Sequence, residues 1–228
     1  MSVGRGKGVP KKCLTLLGVP PRFAPPKLSE YGEGRRPVAG VDEAGRGPWA
    51  GPVVAAAVII ERWDFTVRID DSKRLSPRQR ERAYHEIRAR ARVGVGLASH
   101  ALIDRINILQ ATRQAMHEAL ARLGRRPDVV LVDGRIPPLG IEGQINLDGG
   151  DGRSLSIACA SIVAKVVRDR IMRVYERQYP GYAFAQHKGY GAPDHIAALR
   201  RLGPCPIHRR SFAPIRRLLA SGQPALAR

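Results

Sequence analysis

Residues 38–60, VAGVDEAGRGPWAGPVVAAAVII, constrain this chain more than any other stretch. Val38 to Val41 are small and apolar and lead directly into two adjacent acids, Asp42 and Glu43. A Gly45-Arg46-Gly47 turn follows, and then Val53 to Ile60, apolar and β-branched at both ends, which predicts a buried strand. Acids at the end of a buried strand lose water unless a positive charge compensates them, and two carboxylates side by side repel each other. A divalent cation removes both problems, and ligands that are all oxygen favour Mg²⁺ or Mn²⁺ over zinc. The glycines around Arg46 let backbone approach a ligand closely.

Charge gives the second constraint. The 228 residues carry a formal net charge of +19. Residues 1–36 hold +6 of it and residues 204–228 hold +5, which leaves +8 for the body. Such an excess predicts a polyanionic partner, because each neutralised phosphate releases counterions. Compositional drift toward arginine explains Arg over Lys but not so large a surplus. No apolar run is long enough to span a bilayer, and the basic N-terminus lacks the pattern of a signal peptide, so the expected compartment is the cytoplasm. Cys13, Cys159 and Cys205 are far apart and odd in number, which suggests neither disulfides nor zinc; Cys159 is expected as a small buried hydrophobe.

Residues 1–36, with five prolines and no apolar period, are expected to form a flexible basic leader. Ser76-Pro77-Arg78-Gln79 carries both halves of a capping box and opens a helix to about Ala91. Val93, Val95 and Leu97 predict a third strand. Asn107 and Gln110 predict a second helix start, ending at Gly124. Residues 128–132 make a fourth strand that ends at Asp133-Gly134, and Gln144 to Leu147 a weak fifth. A long helix should run from Leu155 to Tyr179, and a short one from Pro193 to Gly203. The order predicts an α/β sheet with some antiparallel pairing, but periodicity does not set strand order.

Two strands thus end in acids followed soon by glycine, and such ends can converge where ligands sit in α/β sheets. Asp151, just before the long helix, fits either a third member of that cluster or an ordinary helix-start acid. Ser161, Lys165 and Asp169 stand four apart and form one polar stripe.

GVDEAGRGPxAGPVVAAAV resembles the first signature of the type 2 ribonucleases H. The resemblance extends from about Pro37 to Pro214, a catalytic domain followed by a short basic tail over 215–228. It implies a five-stranded mixed sheet flanked by helices, with a small C-terminal helical segment. It implies a catalytic and metal-binding quartet of Asp42, Glu43, Asp133 and Asp151, with Asp169 supporting it. In GGDGRSLSIACASIVAKVVRDR the family usually has lysine where Gly149 stands, so one supporting charge is missing. The implied reaction is hydrolysis of the RNA strand in RNA–DNA hybrids and nicking 5′ of ribonucleotides embedded in duplex DNA. Two ions of Mg²⁺ or Mn²⁺ take part, and the ends are 3′-hydroxyl and 5′-phosphate.

Substrate contacts implied by the resemblance are Gly45, Arg46 and Gly47 at the 2′-hydroxyl and Tyr190, from QHKGYG, on the sugar of the next deoxynucleotide. Ser72 and Lys73 match a loop placed to meet phosphate, and Lys188, in the same segment as Tyr190, is a further implied substrate contact. Tyr182 is expected in a turn, and His208-Arg209-Arg210-Ser211-Phe212 as an anchor for the C-terminal segment. The related type 3 enzymes carry a substantial N-terminal domain, for which a 36-residue leader is too short. A monomer is expected.

Overall fold

A computed structural model describes residues 37–137 and 139–221; the expected leader, Cys13 and the last seven residues lie outside them. The acid-bearing strand β1 (Val38–Ala44) and the apolar β2 (Val53–Ile60) form as the sequence predicts. Next come α1 (Pro77–Arg90), β3 (Ala91–Ala98), α2 (His100–Ala121), β4 (Val129–Asp133), β5 (Gln144–Leu147) and α3 (Leu155–Gln178). The described chain closes with α4 (Phe184–His187), α5 (Pro193–Leu202) and α6 (Ala213–Ala220).

The sheet order is β3-β2-β1-β4-β5. β1 pairs antiparallel with β2 and parallel with β4; β2–β3 is antiparallel and β4–β5 parallel. β2 is buried along its whole length because helices cover both faces. Val53, Ala55, Ala57 and Ile59 pack with α2, while Ala56, Val58 and Ile60 pack with α1 and α3. Each fully buried Val or Ile contributes about 1.5–3 kcal/mol. A third cluster joins Ala50 and Met172 to the segment from Tyr182 to Ile215. Cys159 is buried within the second cluster.

The α1 capping box is complete: Gln79 N–H donates to Ser76 Oγ (3.3 Å) and Ser76 N–H to Gln79 Oε1 (2.8 Å). Asn107 does cap a helical segment, accepting from Gln110 N–H at 3.1 Å. However, α2 begins earlier, at His100 behind the cap Ser99, and kinks at Asn107, where φ is 66°. Helix α6 runs across the expected domain boundary at 214, and its Ile215 is fully buried. The first part of the expected tail therefore belongs to the packed body. No helix among the described residues is long and apolar enough to cross a membrane.

Candidate active site

β1 and β4 lie side by side in parallel, with Val41 opposite Val132. The next residue of each strand is an acid, so Asp42 and Asp133 leave the sheet together. Asp151 reaches them from the turn Gly150–Gly152 ahead of α3. Two contacts bring it there. Gly40 lets the start of α3 lie on β1, since a side chain at that position would overlap the Ser156 backbone. Gly150 N–H donates to Asp133 Oδ1 at 2.6 Å. One carboxylate oxygen from each of Asp42, Asp133 and Asp151 lies within 4.8 Å of the other two. Ser154, not Asp151, caps α3, accepting from Ile157 N–H at 3.2 Å. The ordinary helix-start reading of Asp151 is thereby set aside.

Glu43, one residue past Asp42, is not one of the three acids whose oxygens lie within 4.8 Å of one another, yet Asp133 and Lys73 both act on its charge. Its Oε1 lies 3.6 Å from Arg46 Nη1, outside the three-acid group. Its charge is nevertheless felt there. Asp42 is 5% exposed, and burial, then Glu43, then Asp133 raise its pKa well above the usual aspartate range. Burial raises Glu43, partly offset by Arg46. Burial and then Asp133 and Asp71 raise Asp151, with Lys73 opposing. Crowded carboxylates held away from water favour protonation or a cation among them. The group is all oxygen, which suits a hard divalent ion.

The other expected substrate contacts divide. Lys73 is 83% exposed in its side chain, with Nζ 4.0 Å from Asp151 Oδ2, and supplies a positive charge that Gly149 does not. Ser72 is not presented to a ligand: it is buried, with its Oγ 3.0 Å from Ser161 Oγ. Ser161 also hydrogen-bonds Asp42, so Ser72 supports the acid edge from below. Lys188 turns its ammonium back onto the carbonyls of Ala185 and Gln186. Asp169 lies outside the three-acid group, paired with Lys165 at 2.9 Å.

The Gly45–Gly47 turn meets Tyr190 at Gly47. Arg46, Gly47 and Tyr190 are exposed, Tyr190 by 48%, and its ring edge lies over the bare Cα of Gly47. Gly45 has φ of 99°, and a side chain there would run into Arg168 and the Pro52 carbonyl. Tyr182 is instead buried, its hydroxyl donating to Gly203 O at 2.6 Å.

Two buried guanidiniums lie beneath this loop: Arg209, from the segment expected to anchor the C-terminal part, and Arg168, of which the sequence reading says nothing. Arg168 donates to the carbonyls of Pro52 (3.0 Å) and Ala50 (3.2 Å). Arg209 donates to those of Gly51 (2.9 Å), Arg46 (2.9 Å) and Gly45 (2.6 Å). Burial lowers their pKa values to about 10 and about 9, so both stay charged at neutral pH. Arg168 could have been found by its spacing, four residues from Ala164 and four from Met172, both buried.

A mixed five-stranded sheet with carboxylates at the ends of its central parallel strands defines a ribonuclease H-type fold. A family model described as Ribonuclease HII matches residues 39–215. A ribonuclease HII of Geobacter metallireducens is 56% identical over 185 residues, covering 80% of this chain and 86% of the relative. Among solved structures, ribonuclease H2 of Pyrococcus horikoshii superposes with a TM-score of 0.69 at 26% identity, covering 81% of this chain and 97% of that one. Bst ribonuclease HIII in complex with Mn²⁺ shares the fold, with a TM-score of 0.59 at 19% identity over 88% of this chain and 74% of that one. This chain belongs to the ribonuclease HII family and is a ribonuclease H enzyme.

Proposed function

We propose that the enzyme hydrolyses the RNA strand of RNA–DNA hybrids and nicks duplex DNA on the 5′ side of single embedded ribonucleotides. The observation that carries this reading is the meeting of Asp42, Asp133 and Asp151 within 4.8 Å, beside the Gly45–Gly47 loop. Asp42, Glu43, Asp133 and Asp151 are the residues that would hold divalent cations, and the all-oxygen cluster of Asp42, Asp133 and Asp151 supports that reading. Two ions of Mg²⁺ or Mn²⁺ held by these carboxylates would supply positive charge at the scissile phosphate and would lower the pKa of the attacking water.

The chain's own residues do the rest. Asp133 is held in place by the Gly150 amide, and Asp42 by the Ser161 hydroxyl and the Glu43 amide, so the carboxylates are preset. Lys73 and Arg46 stand where the charge of a nucleic-acid backbone would fall. Asp169, with Lys165, supports the same edge from α3. A water oxygen adds to phosphorus, the P–O3′ bond breaks, and the departing oxygen takes a proton. The ends are a 3′-hydroxyl and a 5′-phosphate on the ribonucleotide. Backbone amides of Gly45–Gly47 meet the 2′-hydroxyl, and Tyr190 stacks on the sugar that follows. We further propose residues 37–214, extended by α6, as the catalytic domain, working as a monomer in the cytoplasm.

The test is a labelled DNA duplex with one ribonucleotide, incubated with Mg²⁺. The native enzyme should give one nick, at the phosphate 5′ of the ribonucleotide, and Asp133→Asn should lower the rate by at least about 10³-fold. Cleavage by Asp133→Asn at the native rate would refute the assignment.

A further inference from the structure

Segment 205–209 touches both halves of the proposed ribonucleotide contact. Ala50 forms a β-bridge with His208, Gly51 N–H donates to Ile207 O (2.9 Å), and Arg209 N–H donates to Trp49 O (2.8 Å). From this frame, two neighbouring side chains diverge.

Arg209 acts on the loop. It draws the carbonyls of Gly45 and Arg46 inward. A trans peptide places its N–H opposite its C=O, so the amides of Arg46 and Gly47 are turned away from Arg209. Neither amide has an acceptor among the described residues. The buried guanidinium thus sets the direction in which these two donors point.

His208 acts on the tyrosine through a chain of defined hydrogens. His195 Nδ1 lies 2.8 Å from Tyr190 O, which can only accept, so that nitrogen carries the proton. His195 Nε2 is then bare and lies 3.0 Å from His208 Nε2, which must donate. His208 Nδ1 lies 2.9 Å from Cys205 N and 3.1 Å from Cys205 O; with the ring hydrogen on Nε2 it accepts from the amide, the shorter of the two contacts. Both rings are neutral, since burial lowers His195 to about 4 and His208 to about 3. His187 stacks on His195, with centroids 4.5 Å apart, and fixes its plane.

We propose that His208 and Arg209 form a positioning brace for ribonucleotide selectivity, Arg209 aiming the Gly45–Gly47 amides and His208, through His195, fixing Tyr190. None of the three is a catalytic residue. The inference rests on the reading of Gly45–Gly47 and Tyr190 as the sugar contact.

Isosteres separate positioning from bulk stability. At 195, Asn keeps the δ-position donor to Tyr190 O, whereas Gln keeps only the ε-position link to His208. At 208, Gln keeps the ε-position donor, whereas Asn keeps only the acceptor for Cys205. Selectivity is read as the ratio of kcat/KM on a one-ribonucleotide duplex to that on an RNA–DNA hybrid, alongside thermal unfolding. His195→Gln and His208→Asn should lower the ratio about 10-fold, the effect of one lost positioning hydrogen bond. His208→Gln should hold it at the native value, and His195→Asn should lower it only as far as His208→Asn does, because both lose the same link between the rings. Equal ratios within the pair at 208, or ratios that follow melting temperature alone, would overturn the brace. Tyr190→Ala is the control: an unchanged ratio there would overturn the sugar-contact reading itself. A lowered ratio there with an equal pair at 208 would overturn the brace alone. If His195→Gln does not fold, the pair at 208 carries the same comparison.

Discussion

The acid edge and the basic brace are both buried charge clusters, joined by the Gly45–Pro52 segment, yet they are completed in opposite ways. Arg168 and Arg209 are satisfied from within, by carbonyls of that segment. Asp42, Asp133 and Asp151 face one another, and burial and mutual repulsion raise Asp42 and Asp151. A charge met by fixed backbone dipoles organises structure. Charges of one sign held together without an internal counter-charge of equal size are organised for something that arrives from outside. The brace is therefore a scaffold and the edge a site.

The contrast breaks most visibly at Arg209. Arg209→Ala leaves three carbonyls without their donor and should destabilise the protein by about 3–5 kcal/mol, measured by urea unfolding. A loss below about 1 kcal/mol would mean that the loop satisfies those carbonyls in another way.

Acid should strain the brace next. The unfolded chain protonates its histidines near pH 6.5, while His195 and His208 stay neutral in the fold down to about 4 and about 3. The unfolded state therefore binds more protons below pH 6.5, and stability falls from pH 7 to pH 5 by about 2 kcal/mol per histidine. Run with divalent cation present, so that the acid edge is neutralised, the double variant His195→Asn, His208→Gln should flatten this slope. A slope unchanged in that variant would place the pH response elsewhere.

At the acid edge the sign should reverse. Asp42→Asn keeps the oxygen that accepts from Glu43 N–H and removes one repelling charge. In chelator it should raise stability by about 1–2 kcal/mol while abolishing cleavage. Loss of stability on that change would show the edge to be internally balanced. The smallest effect belongs to Lys73. Lys73→Ala should change stability by less than about 1 kcal/mol, because the ammonium is mostly in water. It should raise KM and reduce the salt dependence of binding.

The two regions were also unequally legible in the sequence. Asp42 and Asp133 stand out because an apolar strand that ends in an acid is unusual on its own terms, and the α1 capping box is written locally. Strand order is not local: the placement of β1 between β2 and β4, which makes the acids neighbours, is a property of the assembled sheet. Arg168 is illegible because arginine defaults to solvent and its acceptor at Pro52 lies 116 residues away, and the anchor segment around Arg209 does not name its acceptors, since Gly51 lies 158 residues away. Ser72, placed at phosphate by the resemblance, instead points down toward Ser161, because the loop's polar sequence does not say which of its side chains turns inward. The early turn of α2 was hidden by the stronger cap at Asn107. Helix α6 was hidden by the two arginines that follow its one buried anchor, Ile215.

The most direct test of the contrast is calorimetric titration of the full chain with Mn²⁺ at neutral pH. The native protein should bind, and the double variant Asp42→Asn, Asp133→Asn should lose that binding while remaining folded. Mn²⁺ uptake by the double variant with undiminished affinity would contradict the account, because the cation would then be held somewhere other than the edge built for it.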